Sequence, residues 1–194
     1  ESHGAGAGLG SALAWSPDLT GRRVIRWINH ALFLLSSKDR TETEAFYQSL
    51  SQQTWFLSQR WKGASPGLPR FEALTGLIYA GLALKGCEEL ADPAVRALAQ
   101  ECNTQINAEG GLPTRNPEEL LDVFTLLAWA AAALHEAGRS VPRDHHAALD
   151  RIAPTLRALR HSDGSLARFH GGGRGQEGWL DHALAASQVP ARAY

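Results

Sequence analysis

Residues 157–187 read RALRHSDGSLARFHGGGRGQEGWLDHALAAS. An apolar helical pattern stops at Ser162-Asp163-Gly164, and a short extended piece covers Ser165 to Phe169. The loop His170-Gly171-Gly172-Gly173-Arg174-Gly175 then leads into a last helical pattern near Gln176. Arg157, Arg160, Arg168 and Arg174 face only Asp163 as a nearby opposing charge, with His161 and His170 interleaved. Loops held between rigid elements carry function more often than the elements themselves. A local polyanion site is therefore expected here.

The same alternation of helix and break runs upstream. Val24, Ile25, Trp27, Ile28, Ala31 and Leu32 give helical spacing after Trp15-Ser16-Pro17, with Thr20 as the expected cap. A second helix is expected from Asp39 to Trp61, opened by a capping box of Thr41 and Glu44. After Gly63–Pro69 comes a third, from Arg70 to Lys85, rich in Ala73, Gly76, Ala80 and Ala83. Small residues let helices approach closely, so this one is expected to be central. Asp92-Pro93 and Asn116-Pro117 are read as cap and first-turn proline of the fourth and fifth helices. Leu120 to Leu134 is apolar on most sides and hence buried on most sides. A sixth helix over 142–160 contains Pro154, which is expected to kink or split it.

Glu109-Gly110-Gly111-Leu112 is echoed by Asp163-Gly164-Ser165-Leu166 about one two-helix unit later. The echo suggests antiparallel helix pairs laid side by side in an arc; acid-Gly as a common helix stop explains it equally well. The expected fold is all-α, with antiparallel helical hairpins forming an incomplete α/α toroid over 15–187. Residues 1–14 read as a disordered lead-in and 188–194 as the start of a linker.

Composition narrows the function classes. The chain has 194 residues, is 44% hydrophobic and 20% charged, and has a net charge of −1. That is enough for one domain with a core, and it gives no global attraction to nucleic acid or membrane. No apolar run is long enough to span a bilayer. Cys87 and Cys102 lie in no metal-ligand pattern, so zinc is not expected and both are read as helix-buried thiols. Adjacent His145-His146 diverge on a helix and make no metal pair. No cofactor is implied. The chain contains no methionine, so an encoded start upstream of Glu1, or processing, is expected.

Four pieces together resemble the N-terminal helical region of heparinase II/III-like proteins, which are polysaccharide lyases and their relatives. They are RVIRWINHALFLL from Arg23, LIYAGLAL from Leu77, EGGLPTRNPEELLDVFTLL from Glu109 and ALRHSDGSLARF from Ala158. The resemblance implies an incomplete toroid followed by a C-terminal β-sandwich, absent from this chain. It also implies an acidic, uronate-containing polysaccharide as partner, β-elimination as chemistry and a periplasmic location. Such elimination needs a neutralised carboxylate and a Tyr or His base. This sequence has Gly67-Leu68-Pro69 where the resemblance implies an Asn, and Glu118-Glu119 where it implies a Tyr. Either other residues act, or the domain keeps only a glycan-binding or scaffold role.

The candidate substrate-binding residues are Arg115, Arg168, His170, Arg174 and Trp179. Guanidinium groups pair bidentately with planar oxyanions, and Trp179 beside the glycine loop could stack on a sugar ring. His170, with an ordinary pKa near neutrality, is a weak candidate base; a solvated basic loop is the plainer reading. Glu118 and Glu119 diverge by about 100° on a helix and read as first-turn acids favoured by the dipole. Asp122, a carboxylate among Leu and Val, needs a partner, expected to be an Arg or Lys of a neighbouring helix. Asn29-His30 is read as structural.

Overall fold

The computed structural model describes residues 15–30 and 39–159. It contains α1 (Pro17–Asn29), α2 (Arg40–Arg60), α3 (Leu68–Ala83), α4 (Ala91–Gln105), α5 (Pro117–Glu136) and α6 (Arg143–Ala158), with single 3₁₀ turns at Trp61–Gly63 and Glu88–Leu90. Among the described residues there is no strand, so the all-α expectation holds. The extended piece at 165–169, the glycine loop, the helix after Gln176, the lead-in and the linker lie outside the described residues.

The helix starts follow local chemistry, with corrections. Ser16 is extended and Pro17 takes the first position of α1, where its missing N–H costs nothing. Thr20 is therefore not a cap; it is buried inside α1, and its hydroxyl accepts from Arg23 at 3.2 Å. Asp39, not Thr41, caps α2, accepting from the Glu42 N–H at 2.8 Å. Asn116 caps α5 as expected, accepting from the Glu118 N–H at 3.0 Å. Asp92 does not cap α4, because the turn at Glu88–Leu90 winds directly into it and leaves Asp92 in the first turn. Pro154 neither breaks nor splits α6, which runs through it to Ala158; the proline is on the exposed side.

α3 is the hub. It packs against α1, α2, α4 and α5, and Phe71 to Ile78 are all buried. Its glycines make this possible. A methyl group on Gly76 would sit 2.8 Å from the Gly21 Cα of α1, and one on Gly81 would sit 2.7 Å from the Ala91 nitrogen of α4. A core of Leu, Ile, Phe and Ala, including Leu50, Leu74, Leu98, Phe124 and Ile152, fills the spaces between helices.

Direction can be read from the contacts. Gly21 meets Glu72 and Gly76, and further along α1 Asn29 hydrogen-bonds Tyr79, so α1 and α3 run the same way. Near the start of α4 Asp92 pairs with Arg139, just before α6. Just past the end of α4 the Thr155 hydroxyl of α6 donates to the Glu109 carbonyl. Those two helices are therefore parallel as well. The turn after α4 is closed by the Asn107 side chain, which accepts from the Gly111 N–H at 2.7 Å. It presses Gly110, at φ 75°, onto the backbone at Arg151. Only glycine combines that φ with so close an approach.

Candidate functional site

A cleft of about 470 Å³ lies along α1, α3 and α5. Its lining includes Arg22, Arg26, Asn29, His30, Glu72, Asp122, Thr125 and Trp129, over an apolar floor of Ile25 and Leu126. Helical spacing explains the α1 wall. Arg22, Arg26 and His30 recur every four residues on the face away from buried Val24.

At one end Arg22 Nε donates to Glu72 Oε1 at 2.5 Å, bridging α1 and α3. The Gly21–Gly76 approach sets this geometry by removing the side chains that would hold the helices apart. Glu72 is only 5% exposed, and its second oxygen, Oε2, is buried without a hydrogen-bond partner. Burial pushes the Glu72 carboxyl up to about 7, against the pull of Arg22; nearby Asp18 and Asp122 add to the rise. Asp122 rises for the same reason, countered by Arg22 and reinforced by Glu118 and Glu119. Its side chain reaches solvent, which moderates the effect. Arg22 is held above its ordinary value, first by the hydrogen bond to Glu72.

The cleft is therefore polarised. The carboxyl groups of Asp18, Glu72 and Asp122 surround Arg22 at one end, while Arg26 and His30 continue along α1 to the other, beside Trp129. Behind that second end the Tyr79 phenol is pushed up by burial, opposed by its hydrogen bond with Asn29.

Asp122 is exposed rather than enclosed among Leu and Val, and the opposing charge acting on it is Arg22 of α1. Asn29 and His30, read as structural, are both exposed at the cleft, and Asn29 hydrogen-bonds Tyr79. Arg115 lies elsewhere, exposed in the turn before α5 at φ 51°, with its N–H on the Leu112 carbonyl at 3.0 Å. Arg168, His170, Arg174 and Trp179 lie outside the described residues. His145 is buried with Nε2 2.8 Å from the Leu127 carbonyl, while His146 is exposed, so the pair diverges as expected. Cys102 is buried in α4, its thiol pushed up to about 12 by burial. Cys87 is half-buried and precedes the 3₁₀ turn rather than sitting in a helix. No group of three or more potential metal ligands occurs among the described residues.

No family model matches this chain, and no solved structure matches it significantly. It is 31% identical over 167 residues to FtsZ-localized protein C of Caulobacter vibrioides (strain NA1000 / CB15N), across 85% of this chain and 28% of that protein. The chain thus spans little more than a quarter of the length of this curated relative. These findings overturn the resemblance to heparinase II/III-like proteins. With it go the lyase and glycan-binding roles, the acidic polysaccharide and β-sandwich partners and the periplasmic location. Where they are described, the quoted pieces are helix faces and helix-ending turns, which many helical arrays share. No described helix is long and apolar enough to cross a membrane.

Proposed function

We propose that this chain is a helical protein-interaction module that works at FtsZ, contributing to cell division through contacts rather than through polysaccharide cleavage. The observation that carries the reading is the 31% identity to FtsZ-localized protein C over 85% of the chain. A polarised, solvent-open cleft on the face of three helices suits recognition of a protein segment, because opposed charges fix the register and orientation of a docked chain.

The helix arrangement is read as part of an array of antiparallel hairpins. Support comes from α1, α3 and α5 sharing one row and α4 and α6 packing behind it, and from the first-turn proline common to α1, α3 and α5. Continued, such a row curves, as expected for a toroid segment. Small-angle scattering of the chain tests the curvature, since a closed bundle of the same helices would be more compact.

The functional test is localisation. The chain, fused to a fluorescent protein and expressed in Caulobacter vibrioides, is expected to gather where FtsZ gathers, and the purified chain is expected to sediment with FtsZ-containing assemblies. A diffuse signal together with no co-sedimentation would remove the proposal.

A further inference from the structure

We infer that the Arg22 end of the α1–α3–α5 cleft receives the lysine or arginine side chain of a partner protein segment, seated between Glu72 and Asp122. The inference rests on the reading of the chain as a protein-interaction module and names what its cleft recognises.

Two independent observations point to a cationic group. The first is charge. Around Arg22 stand Asp18, Glu72 and Asp122, so one guanidinium meets three carboxyl groups drawn from three helices. The second is an unmet bond. Glu72 is 5% exposed; Arg22 uses Oε1, and Oε2 has no partner. A buried carboxyl oxygen without a donor is costly, and an ammonium or guanidinium supplies the donor that is missing. Arg22 is half-exposed, with a side-chain accessibility of 50%, so its guanidinium can shift along Glu72 to admit a second cation without disturbing the core.

The other end sets the rest of the partner. Arg26 and His30 continue the α1 wall, and His30 lies two turns beyond Arg22, about 12 Å along the axis. Ile25, Leu126 and half-buried Trp129 line the space between. The fitting segment is basic at one end, apolar in the middle and acidic about 12 Å further on. In extended chain that is a separation of about four residues.

The probe is the peptide acetyl-Lys-Ala-Leu-Ala-Glu-amide, titrated into the whole chain by calorimetry. Binding is expected, weakened about tenfold or more by replacing the peptide lysine with norleucine, the scale of one lost charge pair in a partly dry site. Asp122→Asn should weaken it to a similar degree, and norleucine should then cost little more; Asp150→Asn, on exposed α6 surface, should change nothing. Absence of binding, equal affinity for the norleucine peptide, or indifference to Asp122→Asn overturns the inference. So does equally strong binding of free lysine or arginine, which makes this a small-molecule site, or a concentration-dependent dimer that Asp122→Asn dissolves. These results are separable from the functional reading. Loss of peptide binding with FtsZ localisation intact rejects the cleft assignment alone, and binding without localisation rejects the cellular role alone.

Discussion

Gly21 of α1 and Gly76 of α3 lie backbone to backbone, so that a methyl on Gly76 would stand 2.8 Å from the Gly21 Cα and 3.0 Å from its carbonyl oxygen. Neither neighbour is a side chain that can swing away. Gly76→Ala must push the helices apart, and with them the Arg22–Glu72 bridge. Overpacking of this kind costs about 1–3 kcal/mol, more than the gain from placing alanine in a helix. Gly63→Ala, where nothing lies within 4 Å of the added methyl, is the control. Denaturant midpoints of the two variants should separate clearly; equal midpoints would mean that the close crossing does not exist in solution.

That crossing also explains what the sequence reveals and what it hides. The helices are legible because Leu and Ile recur at helical spacing and because prolines, Asn116 and the glycines at 86, 110 and 138 mark their ends. The small-residue run of α3 points correctly to a central helix. Caps are less legible: Asp39 and Thr41 both suit a cap, and the hydrogen bond from the Glu42 N–H selects Asp39. The cleft is the hardest to see, because its key residues come from three helices. One signal exists: Arg22 and Glu72 are 50 residues apart, and Asp122 stands a further 50 on, one charged residue on every second helix. Basic clusters such as the arginines after 157 are conspicuous in a linear chain, and charges spaced two helices apart are not.

Glu101 ties the loop before α3 to α4. It is 5% exposed, accepts from the Gly67 N–H at 2.9 Å and meets Arg70 at 3.4 Å. Arg70 in turn donates to the Ala64 carbonyl at 2.8 Å. Glu101→Ala leaves the buried Gly67 donor without an acceptor, a loss of about 1–3 kcal/mol. Glu101→Gln keeps the acceptor and should recover part of that. Chemical denaturation of the three proteins orders them wild type, Gln, Ala; an alanine variant as stable as wild type would show that the tie contributes nothing.

Pro154 sits inside α6, exposed, where it cannot donate to the carbonyl four residues back. A proline in a helix interior costs about 3 kcal/mol relative to alanine, partly offset because proline also restricts the unfolded chain. Pro154→Ala should therefore raise stability by about 1–2 kcal/mol. A melting temperature that falls instead would mean that the proline shapes how Ile152 and Leu156 of α6 pack into the core.

Glu72 and His145 make opposite demands on pH. Burial holds the Glu72 carboxyl at about 7 against an ordinary 4.5, so the folded chain holds a proton that the unfolded chain has released. Its contribution is present below 4.5 and is lost as pH rises through 7, a change of about 3 kcal/mol. The facing charges, Arg22, Asp18 and Asp122, are already part of that balance. His145 is the reverse. Burial lowers it to about 4 from 6.5, and its Nδ1 is buried without a partner, so the unfolded chain binds the proton first. Stability is lost as pH falls from 6.5 to 4, again by about 3 kcal/mol. Between pH 4.5 and 6.5 the two slopes cancel, and the unfolding midpoint of the wild type should be nearly level from these two groups. Glu72→Gln removes one slope and exposes the other, so the variant should lose stability steadily as pH drops from 6.5 to 4.5. A Glu72→Gln profile as level as wild type would show that His145 is not held neutral in the core.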